Sequence, residues 1–133
     1  MIKHICNLLI LLALSLITLS CNSDDNSSNV IEHNPYEKYI GKYKGNYYGG
    51  DTGTWEVAIS NQGMISGTVR SSQFNLTFQL EGEIDANGNL NATYQYNNQA
   101  AGVFEAVINE DSVSGIWSNS LSNLAGTLEG NKF

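Results

Sequence analysis

A strict two-residue alternation runs through Phe74-Asn75-Leu76-Thr77-Phe78-Gln79-Leu80-Glu81-Gly82-Glu83-Ile84, where apolar and polar side chains take turns and only Gly82 interrupts the apolar set. Successive side chains of a β-strand point to opposite faces, so this pattern predicts one long strand with an apolar face and a polar face. A helix of 3.6 residues per turn would scatter the same apolar side chains around its surface. We therefore expect a β-sheet with one buried face.

Seven shorter segments with the same alternation flank this strand, and clusters of Gly, Asn, Asp and Ser separate them. The eight predicted strands cover residues 41–48, 54–60, 64–70, 74–84, 90–96, 101–108, 112–118 and 124–131. The strongest turn signal is Asn87-Gly88, because this dipeptide readily adopts positive φ. The sixth strand is predicted to bury Phe104, Ala106 and Ile108. Residues 36–40 are predicted to form a short helical lead-in.

A glycine lies between two larger inward-facing residues in five of the predicted strands. The five units are Tyr43/Gly45/Tyr47, Ile65/Gly67/Val69, Leu80/Gly82/Ile84, Val113/Gly115/Trp117 and Leu124/Gly126/Leu128. Repeated glycines on the inner face suit a sheet that coils and closes on itself. The sequence therefore predicts an all-β domain formed as an eight-stranded antiparallel up-and-down meander barrel, with a two-sheet β-sandwich as the alternative. Either fold encloses room for side chains or for one small ligand.

The first twenty residues have the features of a secretory signal peptide. Lys3 and His4 precede a twelve-residue, mostly apolar run, residues 8–19, which is shorter than the roughly 20 residues needed to span a bilayer. The run ends in Thr18-Leu19-Ser20-Cys21, a small residue followed by a cysteine. An ordinary secretory signal with an incidental cysteine is the alternative interpretation.

This segment resembles the lipobox of bacterial lipoproteins of the Bacteroidetes type. The resemblance implies cleavage after Ser20, a diacylglyceryl group on the thiol of Cys21, and anchoring in the outer membrane. The following residues, Asn22, Ser23, Asp24 and Asp25, resemble the acidic export tag of surface lipoproteins in that group, which implies an exposed position on the cell surface. The alternative is a plain acidic tether. The predicted organisation is a signal peptide at 1–20, a lipidated cysteine and tether at 21–38, and a barrel domain at 39–133.

The charge of the chain restricts its partners. The formal charge is −7, and removal of residues 1–20 takes away Lys3 but no acidic residue, which leaves −8. An acidic domain argues against nucleic acid and against direct electrostatic docking on anionic lipid. With Cys6 removed and Cys21 lipidated, no disulfide can form. We expect a monomer whose only membrane contact is the lipid anchor.

The inventory of reactive side chains argues against an enzyme. The mature chain keeps one histidine, His33, and the predicted lipidated cysteine, so it offers no His/Cys metal cluster and no nucleophile–histidine pair. Glu81 and Glu83 share a face, but it is the solvent face, where nothing raises a carboxyl pKa. The segment from Asp85 to Asn89 partly resembles a calcium loop, although a hairpin turn explains it better. We therefore expect no catalysis, no metal and no cofactor.

The aromatic residues suggest a binding site. Six of them are candidates for an aromatic-lined cup at one end of the barrel: Tyr43, Tyr47, Trp55, Tyr94, Tyr96 and Trp117. The alternative is that they fill the interior. The plan is loosely similar to avidin-like and lipocalin-like barrels, although no ligand residue of those families can be aligned. The predicted function is a non-catalytic binding or structural domain of an envelope lipoprotein. The alternatives are a carrier of a small apolar or aromatic ligand, and an inhibitor or adhesin acting through loops 49–53 and 118–123.

The lipid anchor has a direct test. We expect Cys21→Ser to abolish metabolic labelling with a fatty-acid analogue and to release the protein from the membrane fraction, because the acylated thiol is gone. Lys3→Arg, which keeps the positive start of the signal, serves as the control. Undiminished labelling of the Cys21→Ser chain would contradict the assignment.

Overall fold

Eight antiparallel strands form a closed barrel in the computed structural model, which describes residues 31–133. The strands are β1 Gly41–Gly49, β2 Gly53–Ile59, β3 Met64–Ser71, β4 Thr77–Ile84, β5 Asn89–Tyr96, β6 Gln99–Asn109, β7 Ser112–Asn119 and β8 Leu124–Lys132. Each strand pairs with the next one, and β1 pairs with β8 to close the ring. The predicted signal peptide, Cys21 and the export tag at residues 22–25 lie outside the described residues.

The predicted up-and-down barrel is confirmed, and the two-sheet sandwich is wrong. Closure pairs Tyr43 of β1 with Lys132 of β8 at one end and Gly49 with Gly126 at the other, so no strand edge is left open. A closed sheet has no unpaired edge for another chain to join. The eight predicted strands correspond one to one with the observed strands, with bounds that differ by a few residues.

The strand predicted at residues 74–84 is shorter in the structure. β4 begins at Thr77, because its register pairs Arg70 with Thr77 and leaves the residues between them in a loop. Asn75 adopts a positive φ of 50° there, and the Ser71 N–H donates to the carbonyl of Leu76 across the turn. Phe74 is therefore exposed rather than inward. β6, with eleven residues, is the longest strand.

β6 owes its length partly to a bulge. Gln95 pairs with Ala100 but Tyr94 pairs with Gly102, so Ala101 is an extra residue on this strand. The bulge places Ala101 in the interior, where it is buried. Beyond it, the predicted inward set of Phe104, Ala106 and Ile108 is confirmed.

The two ends of the barrel differ. We call the end that carries the β1–β2, β3–β4, β5–β6 and β7–β8 connections the open end, and the opposite one the closed end. At the closed end a 3₁₀ turn, Glu37–Tyr39, buries Tyr39 and packs Tyr36 against the core. The Asn34 side-chain amide donates to the carbonyl of Asn61 at 2.9 Å. The packed region thus begins before residue 39, the predicted start of the domain.

Inner-face glycines allow neighbouring strands to approach closely. Gly82 of β4 lies opposite Ala92 of β5, and a Cβ atom at residue 82 would overlap the carbonyl oxygen of Asn91 and lie 2.7 Å from the Ala92 Cβ. No rotamer change can relieve a clash with backbone. The tight coiling of the sheet at this point therefore requires a residue without a side chain.

Gly82 and its neighbour Glu83 allow a matched test of this constraint. We expect Gly82→Val to lower the free energy of unfolding by about 3 kcal/mol, because the new side chain must push β4 and β5 apart. Glu83→Val adds the same side chain on the outer face and should cost less than about 0.5 kcal/mol. Urea unfolding followed by tryptophan fluorescence measures both. Equal midpoints for the two variants would contradict the packing argument.

Candidate functional site

The open end of the barrel contains a cavity of about 270 Å³, which we call the mouth cavity. Its lining falls into four groups. Six are aromatic residues of the strands: Tyr47, Phe78, Tyr94, Tyr96, Phe104 and Trp117. Four are aliphatic: Val69, Leu76, Ala101 and Leu124. Three are polar: Asp51, Asn119 and Ser122. Phe74 and Leu121 complete the lining from the loops.

The rings of the six strand aromatics form a continuous row, which we call the aromatic wall. The spatial order of the rings is Tyr96, Phe78, Tyr94, Phe104, Tyr47 and Trp117, with neighbouring ring centroids 5.2–6.3 Å apart. The planes of neighbouring rings are inclined by 57–78°, so the contacts are edge-to-face or tilted. This arrangement places the positive edge of one ring near the negative face of the next and is favourable for each pair. The wall is therefore held by its own contacts.

Glycines on the neighbouring strands explain why these rings line the cavity without filling it. Tyr94 of β5 lies over Gly102 of β6, where a Cβ atom would overlap the phenol. The Tyr94 hydroxyl then donates to the carbonyl of Ser118 on β7 at 2.8 Å. The ring thus lies flat across a whole strand. Its bulk stays against the barrel wall, and the centre remains open.

Trp117 repeats this arrangement on the other side of the cavity. It lies over Gly126 of β8, and its indole nitrogen would be 2.8 Å from a Cβ atom there. The indole N–H donates to the carbonyl of Tyr48 on β1 at 2.9 Å. Each ring is fixed at both ends, by its own strand and by a hydrogen bond two strands away. The aromatic wall is therefore preorganised.

Asp51 is the one carboxylate in the cavity lining, and it is only 8% exposed. Its Oδ1 accepts hydrogen bonds from the Thr52 N–H at 2.7 Å and from the Ser71 hydroxyl at 3.0 Å. Its Oδ2 accepts from the Tyr47 hydroxyl at 2.8 Å. A carboxylate buried in this way ties β1, the β1–β2 loop and β3 together. It is stable there because three donors replace the lost water.

Two tyrosine hydroxyls of the wall, those of Tyr47 and Tyr94, have raised pKa values. Burial, followed by the hydrogen bond and charge of Asp51, raises the pKa of Tyr47 far above its ordinary value. Burial is also the main cause that raises the pKa of Tyr94, and the charge of Asp51 adds to it. Both phenols are neutral hydrogen-bond donors at neutral pH. The charge of Asp51 thus contributes to the raised pKa values of two lining residues, Tyr47 and Tyr94.

The rim of the cavity is apolar and exposed. Phe74 is 53% exposed and Leu121 is 59% exposed, on the β3–β4 and β7–β8 connections respectively. The Asn119 side chain shapes the second of these, since its Oδ1 accepts from the backbone N–H groups of Leu121 and Ser122. A ligand in the cavity would meet apolar side chains as it enters.

Four of the six residues predicted for the cup come together at the mouth cavity: Tyr47, Tyr94, Tyr96 and Trp117. Tyr43 and Trp55 are not part of it. The Tyr43 hydroxyl donates to the carbonyl of Tyr39 at the closed end, at 3.0 Å. Trp55 is buried in the interior, where its ring lies over Gly130 and its N–H donates to the carbonyl of Asn46.

Sequence reasoning missed Asp51, Phe78 and Phe104 as lining residues. Asp51 was interpreted only as part of a Gly-rich turn, and nothing in the local pattern marks it as buried. Phe78 and Phe104 were predicted to point inward but were not placed at either end. Strand alternation indicates which face of the sheet a residue occupies. At which end of the barrel the residue lies depends on the stagger of the strands, which the alternation does not reveal.

The other acidic candidates have no site around them. Glu81 and Glu83 are exposed on the outer face of β4, as predicted. The Asp85 carboxylate accepts hydrogen bonds from the side chain and backbone of Asn89 and from the backbone of Asn87, and these lower its pKa. Asp85 therefore forms a hairpin turn.

The described region also lacks a metal cluster and a helix that could span a membrane. Within residues 31–133, no group of three or more His, Cys, Asp or Glu side chains could hold a metal ion. This part of the chain also contains no helix of the length and apolarity needed to cross a membrane. Comparison with protein-family models, curated proteins and solved structures finds no match to the chain.

Proposed function

We propose that this domain binds one small apolar or aromatic molecule in the mouth cavity, as the non-catalytic domain of a lipid-anchored envelope protein. The observation that carries the proposal is a hollow, aromatic-lined open end in a barrel whose closed end is packed with side chains. Large rings in a small barrel are expected to fill it. Here hydrogen bonds hold three of the rings, those of Tyr47, Tyr94 and Trp117, and a cavity of about 270 Å³ remains.

The size of the cavity limits the ligand. Drug-sized molecules occupy pockets of roughly 300–1,000 Å³, so this cavity suits a molecule at or below the lower end of that range. The buried rings of Tyr43 and Trp55 occupy the interior outside the cavity lining. A single substituted ring or a short branched chain fits these limits.

The chemistry of the lining supports binding without catalysis. Tyr47 and Tyr94 have raised pKa values and keep their protons at neutral pH. Asp51 already accepts three hydrogen bonds from the protein. A proton-transfer mechanism needs an acid and a base matched to the working pH and within reach of a substrate. The cavity lining offers specificity contacts and no such pair.

The position of the cavity agrees with an anchor at the N-terminal side. The chain enters the barrel at the closed end, through the turn that contains Tyr39. The mouth cavity lies at the opposite end of the strands. The proposed anchor at Cys21 precedes this turn in the sequence, and the cavity lies at the other end of the strands.

The exposed apolar rim supports a second candidate, a loop-mediated contact with a protein. Phe74 and Leu121 are more than half exposed, and exposed apolar side chains that lie together can mark a protein contact. In that case the rim, and not the cavity, would be the site. The following experiment separates the two.

Titration with bromobenzene, a small apolar ring, tests the cavity directly. We expect a saturable shift of the Trp117 indole N–H signal in ¹H–¹⁵N spectra and no shift of the Trp55 signal, since Trp117 lines the cavity and Trp55 does not. Ala101→Phe should abolish the shift, because the new ring occupies the cavity.

The matched control is Ala125→Phe, which adds the same ring at an exposed position of β8. We expect this variant to bind as the wild type does, with circular dichroism confirming that both variants are folded. An unmoved Trp117 signal at millimolar bromobenzene would overturn the ligand-binding proposal and leave the rim as the better candidate.

A further inference from the structure

The mouth cavity combines one negative charge with many aromatic rings and no positive charge. Asp51 is the one carboxylic acid among its lining residues, and no Lys, Arg or His is included in that lining. The three donors to Asp51 are a backbone N–H, a serine hydroxyl and a tyrosine hydroxyl, all of them neutral. The charge of the carboxylate is stabilised by these bonds but not neutralised.

Asp51 is linked electrostatically to two tyrosines of the lining. Burial is the main cause that raises the pKa of Tyr47 and of Tyr94, and the charge of Asp51 adds to both shifts, although Asp51 is hydrogen-bonded only to Tyr47. Burial disfavours any charge, but the Coulomb interaction with Asp51 disfavours a second negative charge and favours a positive one.

The aromatic wall acts in the same direction. The faces of Phe, Tyr and Trp rings carry negative electrostatic potential, and a cation within about 6 Å of a ring centroid is attracted to it. Six such rings surround this cavity, and neighbouring centroids are no more than 6.3 Å apart. A cation in the cavity would therefore lie close to several rings together. Aromatic cages with a nearby carboxylate are suited to amines and quaternary ammonium groups.

Resting on the ligand-binding function above, we propose that the mouth cavity takes a small organic cation, an amine or quaternary ammonium group on an apolar body, with Asp51 as its counter-charge. The three protein donors to Asp51 are all neutral, so its charge has no cationic partner among them. Anionic molecules such as carboxylates and phosphates are excluded by the same field.

Asp51→Asn separates this role from the structural one. An asparagine can keep the contacts with Thr52 and Ser71 through its carbonyl, whereas the bond with Tyr47 must reverse, so that the amide donates to the hydroxyl oxygen and the Tyr47 O–H loses its acceptor. The variant therefore removes the charge and alters one hydrogen bond. If Asp51 serves solely to tie the loop to β1 and β3, the variant should bind cationic and neutral molecules in the same ratio as the wild type.

The experiment compares three probes of similar shape: phenyltrimethylammonium as the cation, tert-butylbenzene as its neutral isostere, and benzenesulfonate as an anion. Each probe is tested for displacement of bromobenzene, with the Trp117 signal as the readout. In the wild type we expect the cation to compete at least about tenfold more strongly than the anion. In Asp51→Asn the ratio of the neutral to the cationic Kd should fall about tenfold.

Glu81→Gln, which removes the same charge on the outer face, is the control and should leave every ratio unchanged. If bromobenzene binds but phenyltrimethylammonium does not displace it, or displaces it no better than benzenesulfonate, the cation proposal is overturned and the ligand-binding function stands. An unchanged ratio in Asp51→Asn also overturns it. If bromobenzene itself fails to bind, both proposals fail. The wild-type comparison decides even if the variant does not fold.

Discussion

The packing of large aromatic rings over glycines of neighbouring strands determines the rest of this structure. An eight-stranded barrel has little interior space, and a tyrosine or tryptophan pointing to its axis would fill it. Tyr94 and Trp117 instead lie across Gly102 and Gly126, where no Cβ atom could be accommodated. Their polar atoms reach backbone carbonyls two strands away. The same contacts hold the barrel closed and leave one end hollow.

This arrangement makes the proposed binding site part of the barrel wall. Strand residues provide the aromatic wall, and hydrogen bonds hold three of its rings, those of Tyr47, Tyr94 and Trp117. A site of this kind loses little conformational freedom when a ligand binds, which favours affinity for a small molecule. Asp51 is likewise held in place by the protein. It accepts hydrogen bonds from Tyr47, Thr52 and Ser71, and none of these donors carries a positive charge.

Much of the fold could be predicted because the strands follow a two-residue period, which only the bulge at Ala101 in β6 interrupts. The inward positions of Phe104 and Leu80 follow directly from that alternation, and the repeated glycines indicated closure. The site was harder to predict for a geometric reason. Whether an inward residue faces the open or the closed end depends on strand stagger, which a single strand does not encode, so Tyr43 and Trp55 were assigned to the wrong region of the interior. Asp51 follows two glycines and has the local sequence of a simple turn.

The central claim is that the open end of the folded domain is hollow and apolar, and xenon tests it most directly because this atom enters preformed apolar cavities without needing a polar contact. We expect diffraction from crystals pressurised with xenon to show one site bordered by Tyr47, Phe104 and Trp117, with the protein otherwise unchanged. Absence of xenon, with Leu121 or Phe74 folded into the space between these rings, would contradict the account.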